Sequence, residues 1–494
     1  MILRVLLIKF VADGFAKAAG LLVFPIMART LGADGYGAYI QIITIANVLA
    51  PWATLGISGA LVRFFSGLAW TSAVQRHTFR VLLFVTASAA VVAFILLLGA
   101  PWMNEWFLGW PDGGYLFRLG AGFVFLNALQ AFILDLLRAK EQLVTHCLFQ
   151  ILGTTVLIGS AYTALPAGLD IHGFMGLVLI LKGLLLLFEL AIILRQPVAP
   201  ASEADSQLAP LGKLIRFGIP IAVLGWGIWL MNTGDRLVIG RFMTPADLGV
   251  YGAIYSLCSL VIAFNAPFLL PLYPRMARGV NTGDTEYLEY TVRTFHKYMA
   301  LVLVPVVLGL SVFGPKLLVF LGGGEFEAGW PLFFLVTLPF SIGQWNAVAH
   351  YLLTCKDDVF FARNIWLLTG AANIALNILA VPAMGLMGAA LVTLVSYLVL
   401  DLVIFMRASH YLNLVGLYQW KVTLLALLAC VPGLLFAWWT AGLGQSPGLW
   451  LTGSALAFLL FYIIMLLSMR QVGSREFLAL RQAFGAGKAN SKAQ

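Results

Sequence analysis

The stretch "NTGDRLVIGRF", Asn232 to Phe242, closes a long apolar run with Asp235 beside Arg236 and with Arg241 one turn on. A guanidinium grips a phosphate or carboxylate through two parallel N–H bonds, and a neighbouring carboxylate limits the cost of desolvating it. A second set, Lys9, Asp13 and Lys17, recurs every four residues and so shares one helix face. Its structural alternative is an Asp13–Lys17 ion pair that only fixes packing. Lys182 stands mid-way along another apolar run, with Glu189 two turns away as its nearest acid. Glu189 and Asp401 are each followed six residues later by an arginine, Arg195 or Arg407. Such repetition fits a latch between two halves or plain helix-end charge.

These charges sit in a chain that is 61% apolar and only 10% charged, with a mean hydropathy of +0.94. That composition belongs to an integral membrane protein. A bilayer admits helices or a closed barrel, because every backbone polar group must be satisfied within the spanning structure. The apolar runs are long and lack strand alternation, which selects helices. Fourteen spans are expected, near residues 5–28, 37–60, 78–99, 115–135, 143–165, 173–194, 214–235, 248–271, 296–317, 329–351, 363–381, 385–406, 421–440 and 449–468. The first is expected to remain as a mature helix, since Lys9, Asp13 and Lys17 interrupt what a cleaved signal would keep uncharged. With the N-terminus cytoplasmic, twenty-two Lys and Arg residues fall on that side and five on the other. The positive-inside rule then places both termini in the cytoplasm. The net charge of +9 is therefore topological, and no nucleic-acid partner is expected.

The chain repeats itself. At an offset of 212, Arg29 falls on Arg241, Gly37 on Gly249, Tyr39 on Tyr251 and Arg63 on Arg275; further on, "GFMG" (173–176) falls on "GLMG" (385–388) and Glu189 on Asp401. Between these stretches the offset drifts to 216, where "LLRAKEQ" (136–142) meets "LLTCKDD" (352–358). The expected domains are six-helix lobes at 1–194 and 214–406, a linker at 195–213, two additional helices within 407–470 and a cytoplasmic tail at 471–494. Six spans per half make the repeat parallel, an arrangement that builds transporters with a site between the halves.

A charge at the bilayer centre is costly and should face protein or water. Lys17, Lys182 and Arg236 against Asp13 and Asp235 leave a slightly positive balance, which suits an anionic headgroup such as phosphate. Asp13, Glu189 and Asp401 are candidates for ion coupling or internal pairing. Arg63 and Arg275, at equivalent inner ends, are candidates for headgroup contact or interfacial anchoring. The four cysteines are isolated, no His or Cys spacing fits a metal site, and "GGGEF" (322–326) lacks the Lys-Ser/Thr ending of a phosphate-binding loop. No cofactor is expected.

"FGIPIAVLGWGIWLMNTGDRLVIGRFMTPADLGVYGAIYSL", Phe217 to Leu257, resembles the seventh and eighth helices of polysaccharide-biosynthesis flippases. "FPIMARTLGADGYGAYIQI", Phe24 to Ile42, is similar to that family's first loop and second helix. The resemblance places the chain in the superfamily of multidrug, oligosaccharidyl-lipid and polysaccharide exporters. It implies two six-helix lobes around a central cavity, no enzymatic activity, and alternating access. The implied substrate is an undecaprenyl-diphosphate-linked glycan moved from the cytoplasmic to the periplasmic leaflet of the bacterial inner membrane for O-antigen, capsule or exopolysaccharide assembly. Implied partners are the lipid bilayer, a polysaccharide polymerase and chain-length machinery. The likeness also implies that Arg236 meets the diphosphate or sugar while Asp235 holds it, and that the last two helices form a groove for the lipid tail. A cation-coupled multidrug exporter and a peptidoglycan-precursor flippase remain as alternatives on the same scaffold.

Overall fold

The computed structural model describes residues 2–200, 208–441 and 447–469. The expected tail and the centre of the expected linker lie outside the described residues. The helices are α1 (Ile2–Thr54), α2 (Ile57–Phe65), α3 (Ser72–Phe107), α4 (Gly113–Ala139), α5 (Leu143–Ala164), α6 (Ile171–Leu194), α7 (Leu211–Phe242), α8 (Pro245–Cys258), α9 (Leu260–Thr282), α10 (Thr285–Gly322), α11 (Trp330–Trp345), α12 (Ala347–Cys355), α13 (Val359–Ser409), α14 (Trp420–Ala441) and α15 (Pro447–Ser468). Among the described residues no β-strand forms, only an isolated bridge between Thr71 and Ala199.

Among the described residues, twelve continuous runs rather than fourteen separate helices have the length and hydropathy a crossing needs. The difference lies in α1 and α13. At 53 and 51 residues each is about 80 Å long, against a hydrocarbon core of about 30 Å. Each contains one glycine outside helical geometry, Gly32 (φ 70°) in α1 and Gly385 (φ 60°) in α13. Positive φ is open to glycine at no steric cost, so the chain bends there and hydrogen-bonded helix resumes at once. The expected boundaries 363–381 and 385–406 flank that second bend. Other expected spans are interrupted instead: Leu55 and Gly56 take positive φ between α1 and α2, Ser259 divides α8 from α9, and Asn346 divides α11 from α12.

The two repeats meet through small residues, as helices in lipid must when no hydrophobic effect drives them together. At the end poor in arginine, α1 crosses α8 so closely that a β-carbon on Gly37 would lie 1.7 Å from Pro245 O, and one on Gly249 would lie 2.3 Å from Ala33 O. At the opposite end α2 meets α7, where a β-carbon on Gly56 would lie 2.0 Å from Gly218 O. The additional helices form a hairpin: Gly433 backs directly onto Phe458, and Thr440 and Ser454 hydroxyls pair at 3.0 Å. Tyr462 anchors the hairpin on α10, donating to Leu301 O at 2.7 Å.

Candidate functional site

Adjacent residues on a helix point about 100° apart, and Asp235 and Arg236 accordingly go separate ways. Asp235 is buried. Its Oδ2 accepts from Tyr251 Oη at 2.6 Å and Thr393 Oγ1 at 3.3 Å, and its Oδ1 accepts from the Arg236 backbone N–H at 2.8 Å. The carboxylate thus ties α7 to α8 and α13 and does not reach the guanidinium. Arg236 instead lays its guanidinium over the Tyr255 ring, Cζ to centroid 3.8 Å, with Nε buried and without a hydrogen-bond acceptor. At the equivalent position of the first repeat, Phe24 packs edge-on against Tyr36 and Phe326.

One turn before Arg236, Asn232 Oδ1 accepts from Tyr397 Oη at 2.7 Å. Asn232 and Tyr397 line a cavity of about 330 Å³ in the second lobe, together with Phe340, Gln344, His350, Tyr351, Trp366 and Asp401. Gln344 Oε1 there has no donor. Phe340 packs edge-on to Tyr255, centroids 4.7 Å apart, so the ring carrying Arg236 also backs the cavity wall. Aromatic faces mixed with amides, an imidazole and a carboxylate can stack on sugar rings and bond their hydroxyls.

Glu189 and Asp401 do not latch the lobes together. Each is buried inside its own lobe and accepts from an amide on the fourth helix of its repeat. Gln130 Nε2 donates to Glu189 Oε1 at 3.4 Å, and Asn346 Nδ2 donates to Asp401 Oδ1 at 2.9 Å. Gln130 and Asn346 are themselves equivalent at the 216 offset. In both acids the other carboxylate oxygen is buried without a donor. His350 Nε2 lies 3.2 Å from Asp401 Oδ1, adding a second polar neighbour in the second lobe.

In the first lobe the charges disperse. Asp13 pairs with Lys9 at 2.6 Å, not with Lys17, and also accepts from Gln150 of α5 at 3.0 Å. Lys17 is exposed and has no hydrogen-bond or ion-pair partner among the described residues. Lys182 donates to Asn127 Oδ1 of α4 at 2.7 Å. The five charges counted together in the sequence therefore do not share one cavity. Of these five, Lys17 and Arg236 are the cations with no hydrogen bond or ion pair to an acid or amide among the described residues.

The paired arginines differ by end. At the arginine-poor end both cross between lobes: Arg29 donates to Phe320 O (2.8 Å) and Leu321 O (3.1 Å) at the end of α10, and Arg241 lies over Trp106 of α3 (4.8 Å). Glu325 adds a cap, accepting from Ala33 N–H at 2.8 Å where α1 restarts after Gly32. At the other end Arg63, exposed like its counterpart Arg275, lies over Phe217 of α7 (4.8 Å). Outside this interface, α14 flanks an apolar groove of about 570 Å³ against α10, α11 and α13, with Asn346, Asp401 and Tyr418 in its lining. Asp401 lines both groove and cavity.

The sequence reading missed Tyr397, Trp366, His350 and Gln344. A signal was present: Asn232–Arg236, Asn346–His350 and Tyr397–Asp401 are each spaced by four residues inside apolar runs, which puts each pair on one face. Which faces meet was not in the spacing.

A multi-pass helical bundle of two repeated lobes, with an aromatic and amide-lined cavity and with contacts between the lobes at both ends, has a membrane-transporter fold. Residues 26–328 match the family described as Polysaccharide biosynthesis protein, and the chain belongs to that family. It is 18% identical over 408 residues, 82% of each chain, to the "Probable low-salt glycan biosynthesis flippase Agl15" of Haloferax volcanii. In fold it is similar to the lipid II flippase MurJ in an inward closed conformation, with a TM-score of 0.74 at 14% identity over 94% of this chain and 99% of that one. It is also similar to an inward-facing multidrug resistance MATE family transporter, with a TM-score of 0.62 at 13% identity over 81% and 95% of the two chains.

Proposed function

We propose that the protein translocates an undecaprenyl-diphosphate-linked oligosaccharide across the bacterial inner membrane by alternating access, with both termini cytoplasmic. The observation that carries this reading is Arg236: a guanidinium stacked on Tyr255 without an acceptor, one helical turn from a cavity lined by Trp366, Tyr397, Asn232 and Gln344. A diphosphate would supply the missing acceptors, and the adjoining glycan would occupy the aromatic and amide walls. Lys17, equally unpartnered, would approach the same anion once the lobes rearrange. Arg63 and Arg275 would meet the headgroup at the arginine-rich mouth. The apolar groove beside α14 fits an isoprenoid tail, and its shared boundary with the cavity at Asp401 keeps tail and headgroup adjacent. No covalent chemistry is required, because the work is exposing one site to each side in turn.

The test is flipping of a diphosphate-linked oligosaccharide in proteoliposomes by wild type, Arg236→Ala and Lys17→Ala at equal insertion. Activity in wild type that falls at least tenfold in the variants supports the reading. Wild-type protein that moves only peptidoglycan precursor would reassign the substrate, and one that exports organic cations instead would make it a drug exporter.

A further inference from the structure

The valley between α3, α4 and α6, on the bilayer side of the first lobe, has a volume of about 360 Å³ and takes no part in the transport site. Its floor is Phe132, Ile133 and Leu136 of α4, and Leu190 and Ile193 of α6 form one wall. Arg76 and Arg80 stand on its rim, one turn apart and both exposed, and no carboxylate lies among the lining residues. Neither arginine has a hydrogen-bond or ion-pair partner among the described residues. They lie roughly 6 and 12 Å along α3 from its start at Ser72, on either side of residue 78, where the apolar span of this helix is expected to begin. Trp70 closes that end with its indole N–H lacking an acceptor and with Lys140 Nζ 3.5 Å over its ring.

The second repeat shows what such a valley holds. Leu402 and Phe405, the equivalents of Leu190 and Ile193, line the groove among α10, α11 and α13, and there the chain supplies its own apolar flank in α14. No described helix plays that part in the first lobe, and the arginines have no counterpart in the lining of the second. We infer that the valley binds an anionic phospholipid of the surrounding bilayer, one acyl chain lying along α4 and the phosphate held by Arg76 and Arg80. Basic pockets between helices at the membrane surface recognise such headgroups, and two arginines together are worth roughly thirtyfold in affinity.

Native mass spectrometry of the purified full chain, titrated with phosphatidylglycerol or phosphatidylcholine of identical acyl chains, tests the assignment. Wild type should retain phosphatidylglycerol preferentially. Arg76→Gln with Arg80→Gln should remove most of that roughly thirtyfold preference, and Leu194→Trp, which lays a ring into the valley with both arginines intact, should also lower retention. Arg278→Gln with Arg363→Gln, two basic residues elsewhere, should leave it unchanged. Equal retention of the two lipids by wild type, or an equal loss in the Arg278/Arg363 control, would overturn the assignment. So would displacement of phosphatidylglycerol by undecaprenyl phosphate, which would give the valley to the transported lipid.

Discussion

Gly37 and Gly249 are equivalents in the internal repeat, 212 positions apart, and they pack directly against each other. A β-carbon on Gly37 would come within 3.0 Å of Gly249 N, and one on Gly249 within 3.1 Å of Gly37 N. Each would also collide with the carbonyl four residues before the other, Pro245 or Ala33. Ile40 and Gly252, one turn further in, are likewise equivalents in contact. The pseudo-two-fold axis of the repeat therefore passes through this crossing, and closure at the arginine-poor end depends on two missing side chains.

Gly37→Ala is expected to hold that end apart, because the clash is with backbone and no rotamer relieves it. Spin labels at Thr30 and Glu327, on opposite lobes, should report a longer distance than in wild type, and transport should fall at least tenfold. Gly99→Ala, where a β-carbon would meet nothing within 4 Å, should change neither.

Asp235 and Arg236 are expected to separate under mutation. Asp235→Ala leaves the Tyr251 hydroxyl buried without its acceptor, a loss of about 1–3 kcal/mol, and should lower the thermal unfolding midpoint in detergent. Arg236→Ala breaks no hydrogen bond within the protein, so it should hold the midpoint near wild type while flipping drops. The reverse pattern would exchange the structural and functional roles assigned to the two residues.

Lys9 and Lys17 should separate in the same way. Lys9→Ala removes the 2.6 Å bridge to Asp13 and leaves that carboxylate with Gln150, so expression and thermal stability should fall. Lys17→Ala discards a membrane cation that makes no hydrogen bond or ion pair among the described residues. Stability should hold or rise, and only transport should suffer.

Lys140, just past the end of α4, is expected to react unusually fast with amine reagents. Burial lowers its ammonium from 10.5 to about 8, even though the Trp70 ring face favours the charge. Near pH 8 about half of it is therefore neutral, against roughly one in three hundred for an ordinary lysine. Between pH 8 and 10.5 the folded protein binds fewer protons here than the unfolded chain, so stability rises with pH across that window. Peptide mapping after acetylation at pH 8 should find Lys140 modified ahead of exposed Lys213 and Lys421.

The repeat was legible in the sequence because its offset is carried by glycines and helix-end charges, residue types that a helix crossing or a membrane boundary cannot freely exchange. The Glu189–Asp401 equivalence was legible for the same reason. Its meaning was not, since it depends on Gln130 and Asn346, which align only at the drifted offset and donate from other helices. The i,i+4 rule that grouped Lys9, Asp13 and Lys17 pointed to an Asp13–Lys17 pair, whereas Asp13 pairs with Lys9, and Gln150 of α5, out of reach of any local rule, joins that side. The number of continuous helices differed at Gly32 and Gly385, where a hydropathy window sees an interruption and the backbone turns through one residue without losing its helix.

The sequence by itself determined that this chain is a bundle of membrane helices in two repeated halves, because hydropathy, charge asymmetry and internal periodicity are properties of order along the chain. Only the tertiary structure decided that Asp235 is a buried strut, that Arg236 is left without an acceptor, and that Asn232, Gln344, His350, Trp366, Tyr397 and Asp401 share one cavity. Those outcomes depend on which helix faces meet. In lipid that is set by where glycines let backbones approach and by which polar groups find partners across the gap, a pairing that no single helix carries in its own sequence.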